Sequence, residues 1–270
     1  MTFRRSLFVV LSSFWLAACG GSKSVEDSYV ERPVEEIYNA AVEALERQNY
    51  ITASQEFDEV ERQHPYSIWA RRALVMSAYT YYVQNKYDEA VATSRRFLAL
   101  YPGNTQAPYA YYLIAMSQYE RISDVKLDQR TTELARYSLV EVIRRYPGSD
   151  YAKDAALKLD LAIGNLAGKE MDVGRYYLNR GDYGAAAARF KNVVIEYNTT
   201  MHVEEALHRL TETYLRLGIV TEAQNSAAVL GYNFPDSRWY TDSYRILAMR
   251  DLEPAEAEGS WLSRTFDAVF

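Results

Sequence analysis

Five times this chain sets an aromatic residue or histidine before proline or asparagine and then small polar residues: "RQHPYS" (62–67), "ALYPGN" (99–104), "RRYPGS" (144–149), "IEYNTT" (195–200) and "YNFPDS" (232–237). Aligned on Pro65, Pro102, Pro147, Asn198 and Pro235, the residues upstream fall into register. Twelve positions earlier stands Ala53, Ala90, Ala135, Ala186 or Ala223. Eight earlier stands Phe57, Ser94, Leu139, Phe190 or Ala227, and five earlier Val60, Phe97, Val142, Val193 or Leu230. Side chains three or four residues apart share a helix face, so these offsets draw one packing stripe. Proline cannot continue a helix and restricts the residue before it, which makes each phrase a helix stop and turn.

A first helix precedes the stripe in each unit. It is expected over Arg71–Val83, Pro108–Glu120 and Val203–Leu217, with Ala41, Ala78 and Ala115 where two helices must approach closely. "QNKYDEA" (84–90) and "NRGDYGAA" (179–186) read as the tight turns between first and second helices. This pattern resembles the tetratricopeptide repeat. The resemblance implies an all-α fold, a right-handed α-solenoid of five helix pairs over about residues 33–235. The phrases lie 37, 45, 51 and 37 residues apart, so two units carry extra residues. In the third, the polar "ERISDVKLDQRT" (120–131) is expected to protrude as a loop. In the fourth, "SDYAKDAALKLDLAIGNLAG" (149–168) reads as an added helix, with Ser149 as N-cap and Gly168 as its stop. An amphipathic helix over Arg238–Arg250 is expected to cap the array, because solenoid ends need a polar outer face. Residues 251–270 form a tail.

The start of the chain is a different kind of segment. Arg4 and Arg5 precede a short apolar run, Leu7–Leu16, too short for a membrane span and of the length of a secretory signal. "LAAC" (16–19) resembles the bacterial lipobox. That resemblance implies removal of residues 1–18, lipidation of Cys19, and anchoring by several acyl chains, which holds where one chain would not. Gly20 in place of an aspartate implies the outer membrane, facing the periplasm. Residues 19–32 then serve as a polar spacer between lipid and fold. Loss of the two arginines takes the formal charge from −6 to about −8. An acidic chain without a basic block argues against nucleic acid. Cys19 is the only cysteine, so no disulfide can hold the mature domain.

No catalytic constellation is expected. His202 and His208 are six residues apart, on different sides of a helix, and read as surface positions unsuited to sharing a metal. No phosphate loop, nucleophile elbow or mature thiol is present in the sequence. The acidic pairs Glu35–Glu36 and Glu204–Glu205 suit the first turns of helices. No cofactor and no metal are called for.

Tyrosine is the unusual feature, 24 of 270 residues. With Ala41, Ala78 and Ala115 as packing positions, the groove-facing positions become Tyr38, Val42 and Leu45; Arg72, Val75, Tyr79 and Tyr82; and Tyr109, Tyr112, Met116 and Tyr119. Tyrosine offers apolar area with a polar tip at little rotamer entropy, which suits an extended peptide.

The lipobox, the five units and the stretches "YYLIAMSQYERISDVKLDQRTTELA" (111–135), "GKEMDVGRYYLNRGDYGAAAARF" (168–190), "EALHRLTETYLRLG" (205–218) and "AAVLGYNFPDSRWY" (227–240) together resemble the BamD family of outer-membrane β-barrel assembly lipoproteins. The resemblance implies a non-enzymatic scaffold. Its N-terminal units, residues 33–148, would meet unfolded outer-membrane proteins. Its C-terminal part, residues 149–250, would dock the barrel-forming subunit, beside accessory lipoproteins. The family's docking arginine lies on the second helix of the fourth unit, where Arg189 stands. The rival readings are another tetratricopeptide lipoprotein of the envelope, pilotin-like or division-associated, and a peptidoglycan- or peptide-processing enzyme. The latter would need a catalytic cluster that the sequence does not supply.

Overall fold

The computed structural model describes residues 31–255 and Leu262. Cys19, the signal segment and the spacer before Glu31 lie outside the described residues, as does most of the tail. The described chain is helical throughout: α1 (Val34–Glu46), α2 (Tyr50–Gln63), α3 (Ile68–Val83), α4 (Tyr87–Leu100), α5 (Ala107–Tyr119), α6 (Arg130–Arg145), α7 (Asp150–Arg180), α8 (Tyr183–Glu196), α9 (Val203–Leu217), α10 (Val220–Asn233) and α11 (Arg238–Ala248).

Each helix packs on the next, which gives five antiparallel pairs and a terminal α11 set against α9 and α10. Consecutive first helices also touch: α1 with α3, α3 with α5, and α5 with α7. Second helices such as α2 and α4 make no comparable contact, so the first helices line the inner side of the array. The fifteen residues of the sequence stripe, at offsets of twelve, eight and five before each phrase, are all fully buried. Burying a large aliphatic or aromatic side chain stabilises by about 1.5–3 kcal/mol, so the stripe is the main source of cohesion within each pair.

The five phrases fold alike. His64, Tyr101, Tyr146, Tyr197 and Phe234 each end a second helix with φ between −131° and −136°. Each donates its N–H to the carbonyl four residues back, and its own carbonyl accepts from the N–H three residues on. Asn198 supports the same stop without proline. Within the pairs, the tight turns use a left-handed residue: Gln48 (φ 59°), Asn85 (φ 60°), Gly181 (φ 85°) and Gly218 (φ 76°). Glycine is unstrained there, whereas Gln48 holds a conformation that costs an L side chain about 1–2 kcal/mol.

The fourth unit corrects one expectation. Residues 149–168 are not a separate added helix. Ser149 caps as expected, accepting from the Ala152 N–H at 3.1 Å, but the helix runs unbroken for 31 residues to Arg180. Gly168 is buried inside it, with space for a Cβ bounded by His202 Nε2 and Val125 Cγ1, both at 3.4 Å. A glycine costs a helix interior only about 1 kcal/mol, and close packing on that side outweighs it. The left-handed stop is Gly181, whose N–H bonds the Leu178 carbonyl at 3.1 Å.

The 120–131 segment likewise does not protrude freely. Lys169 of α7 donates to the Lys126 carbonyl at 2.8 Å, and Gln129 Nε2 bonds the carbonyls of Asp124, Val125 and Leu127. The loop closes one wall of a cleft of about 870 Å³, whose other walls are α7 and the α8–α9 turn.

Candidate functional site

The inner faces of α3, α5 and the start of α7 bring a set of tyrosines together. Tyr79 and Tyr82 come from α3, Tyr109 and Tyr112 from α5, all half-buried. Tyr151 of α7 completes the set: its ring lies 5.5 Å from Tyr109 and 5.2 Å from Tyr112. Tilted pairs at this separation are favourable beyond their buried area.

Two carboxylates fix the hydroxyl ends. Tyr112 donates to Asp154 Oδ2 at 2.5 Å, and Tyr82 donates to Glu120 Oε1 at 3.2 Å. Burial, then Glu120, pushes the Tyr82 hydroxyl up to about 12. Burial likewise raises Tyr109, helped by the neighbouring Tyr79 and Tyr151, and raises Tyr112, helped by Asp154. These hydroxyls therefore remain donors at neutral pH. Burial alone would raise the Asp154 carboxyl, but hydrogen bonds from Lys158 and Tyr112 outweigh it and hold it below its ordinary value. Lys158 bonds Asp154 at 2.9 Å and lies 5.9 Å over the Tyr119 ring.

The remaining groove positions divide. Tyr119 packs against the cluster of Ala115, Leu139 and Ala162. Tyr38 packs against Phe57 at 5.6 Å and Trp69 at 4.8 Å, and with Val42 and Leu45 it covers the first-pair core. Arg72 is exposed, its guanidinium 5.5 Å over Trp69. Val75 and Met116 are not groove residues: they are 1% and 6% exposed, and Val75 packs with Phe97 and with Ala110 of the next unit. A helix in a solenoid packs on two neighbours, so a position opposite one stripe can face the other neighbour.

Sequence reasoning missed Tyr151, Asp154 and Lys158, because their segment was set aside as an insertion. A signal existed. Trp69, Tyr151, His202 and Trp239 each stand four residues after the phrase's Pro or Asn, so in four of the five units, Gln106 being the exception, an aromatic or imidazole ring recurs at the start of the following helix.

Arg189 lies on α8 and is paired with Glu170 of α7 at 3.2 Å, with close to half of its side chain exposed. The acidic pairs behave as expected: Glu35–Glu36 and Glu204–Glu205 occupy first turns, and Glu205 bonds Arg175 and Arg209. Among the described residues, no group of three or more His, Cys, Asp or Glu is arranged to hold a metal.

The histidines are a further correction. His208 is 7% exposed, not a surface residue, with Nδ1 2.9 Å from Ser243 Oγ and its ring 5.1 Å from Trp239. The capping helix α11 covers it. Burial and then Arg209 hold its imidazole below the usual value of 6.5, and burial and then Arg175 do the same for half-buried His202. Below pH 6.5 the unfolded chain takes up protons that the folded rings refuse. Stability is therefore full above that pH and is lost as pH falls below it. Between pH 7.5 and 5.5, each ring should cost up to about 1.4 kcal/mol. Urea midpoints at the two pH values check this, and His208→Gln should remove part of the difference.

Comparison with known proteins places the chain. The family model for YfiO, "Outer membrane lipoprotein", matches residues 30–230. The outer membrane protein assembly factor BamD of Caulobacter vibrioides is 48% identical over 251 residues, 93% of this chain and 82% of that protein. BamD of Rickettsia prowazekii is 42% identical over 84% of this chain and 91% of its own length. BamD of Neisseria meningitidis serogroup A is 31% identical over 90% and 96%. Among solved structures, the tetratricopeptide domain of P58(IPK) aligns with 81% of this chain and 57% of that chain, at 13% identity and a TM-score of 0.41.

Proposed function

The chain belongs to the YfiO outer membrane lipoprotein family, that of the BamD outer membrane protein assembly factors, and from that premise we propose that it is a non-enzymatic scaffold gripping unfolded outer-membrane proteins in its tyrosine groove. The observation that carries this reading is the joining of Tyr79, Tyr82, Tyr109, Tyr112 and Tyr151 across three successive first helices. Such a wall supplies apolar contact to an extended, aromatic-ended peptide, while the donors at Tyr82 and Tyr112 are already oriented by Glu120 and Asp154.

In this reading residues 33–148, joined by the start of α7, form the substrate side. The rest, up to residue 250, docks the barrel-forming subunit and accessory lipoproteins, with Arg189 on the exposed outer surface of α8. Acylation at Cys19 holds the arch at the periplasmic face of the outer membrane. Confinement there raises its effective concentration towards membrane-bound partners without any new contact.

The test is peptide binding by the mature chain, read by fluorescence anisotropy with a peptide from the C-terminal strand of an outer-membrane barrel. Tyr79→Ala/Tyr112→Ala should weaken binding by about tenfold or more, the loss typical of central aromatic anchors. Tyr137→Ala, on the exposed side of α6, should leave it unchanged. Equal affinities for wild type and the double variant would remove the groove from the account.

A further inference from the structure

The first inter-unit turn differs from the other four in a way that its geometry does not require. Directly after the Pro or Asn the five turns carry Tyr66, Gly103, Gly148, Thr199 and Asp236. All five close with the same backbone hydrogen bonds. Since glycine, threonine and aspartate serve equally well, folding gives no reason for a tyrosine. Tyr66 is 101% exposed, and Ile68, which opens α3, is 57% exposed. Arg71 and Arg72, three and four residues beyond Ile68, share its side of the helix and are also exposed. Their guanidinium groups lie over the rings of Tyr101 and Trp69, at 5.9 and 5.5 Å. The carboxylates on the neighbouring half of α2 are matched elsewhere: Glu56 by Arg32, Glu59 by Arg62 and Glu61 by Arg96. The turn therefore presents an aromatic ring, an aliphatic side chain and two cations together.

The chain also enters the fold at this turn. The Arg32 N–H donates to Gln63 Oε1 at 2.8 Å, its guanidinium bonds Glu56 at 2.6 Å, and its carbonyl oxygen lies 2.7 Å from His64 Nε2. Arg32 is thus fastened to the two residues that precede Pro65 and Tyr66. Cys19 stands 13 positions before Arg32 (32 − 19), a reach of at most about 45 Å.

We infer that Tyr66, Ile68, Arg71 and Arg72 form a foot that rests on the phospholipid leaflet carrying the acyl chains, which orients the solenoid on the membrane. The inference rests on lipidation of Cys19. Tyrosine and aliphatic side chains partition to the headgroup boundary, and arginine beside them meets anionic headgroups. A tether by itself fixes distance and leaves orientation open; a second contact next to its root removes that freedom.

The test uses the mature lipidated chain on vesicles of phosphatidylethanolamine and phosphatidylglycerol. With Cys19 acylated, an introduced cysteine is the only free thiol, so Ile68→Cys and Asp236→Cys can each carry a single nitroxide. The label at 68 should collide more with oxygen than with a water-soluble nickel chelate. The label at 236, on the equivalent turn of the last unit, should show the reverse order. Adding Tyr66→Glu should return the 68 label to the water-like order while the protein still pellets with the vesicles. Tyr66 is fully exposed, so this variant keeps the fold. A water-like label at 68 on pelleted wild-type protein would overturn the foot and favour a protein partner for the patch. An unchanged label after Tyr66→Glu would also overturn it. A mature chain that fails to pellet would remove the tether, and this inference with it.

Discussion

Truncating Phe190 to alanine lowers the unfolding free energy by about 3–5 kcal/mol, the range for deleting a fully buried aromatic side chain. Phe190 occupies the middle stripe position of the fourth unit and is fully buried among Ala167, Met171, Ala186 and Leu207. Its ring also lies on Gly174 of α7. A Cβ placed on that glycine would stand 2.5 Å from Phe190 Cε1 and 2.8 Å from Cδ1. No rotamer change of a ring held on all sides relieves such an overlap, so Gly174→Ala should cost about 1–3 kcal/mol by overpacking. The two substitutions are predicted to be strongly non-additive, since the added methyl occupies part of the space that the missing ring leaves. A double-mutant cycle from urea denaturation measures this coupling. Additive losses would mean that the ring and the glycine do not share one space.

Cys19→Ala, in a chain whose residues 1–18 are exchanged for a secretory signal that is cleaved without lipidation, is expected to move the protein from the membrane to the soluble fraction almost completely. Among the described residues no helix is long and apolar enough to cross a membrane. The Tyr66 foot offers two apolar side chains and two cations, which is a weak attachment beside several acyl chains. Peripheral contacts of that size orient a tethered protein and do not hold an untethered one. Fractionation in neutral buffer at physiological salt reads the outcome. Retention of the alanine variant in the membrane would show that a protein partner holds the chain there.

The repeat was legible because it is written in residue types that do one job each. Alanine at twelve before the phrase, a filler at eight and an apolar residue at five are buried in all five units, including Ser94 and Ala227, whose types alone would not have shown it. Helix stops were legible for the same reason, since proline acts through local sterics. Features set by tertiary packing were not. Gly168 has the signature of a helix end, yet it sits inside α7 because Val125 and His202 need the room. His208 looks like a surface residue until α11 folds over it and Ser243 bonds it. Val75 and Met116 share a side of their helices with the groove tyrosines, but both are buried, Val75 against Ala110 of the next unit. Tyr151 has counterparts in Trp69, His202 and Trp239, but its place in the groove depends on how α7 packs beside α5, which the repeat pattern does not encode.

The unbroken α7 has a consequence for how the arch behaves as a body. Ala155 and Ala162 of this helix belong to the core of the N-terminal half, and Ala167 and Met171 to the core of the C-terminal half. Stacked repeats ordinarily come apart piecemeal, since each unit leans only on its neighbours. Here a single rod, about 45 Å long at 1.5 Å per residue, is planted in both halves. Neither can loosen without tearing the same run of backbone bonds. Under the proposed function, the substrate-gripping half and the docking half would thus share one beam, and a pull on either would be borne by the whole.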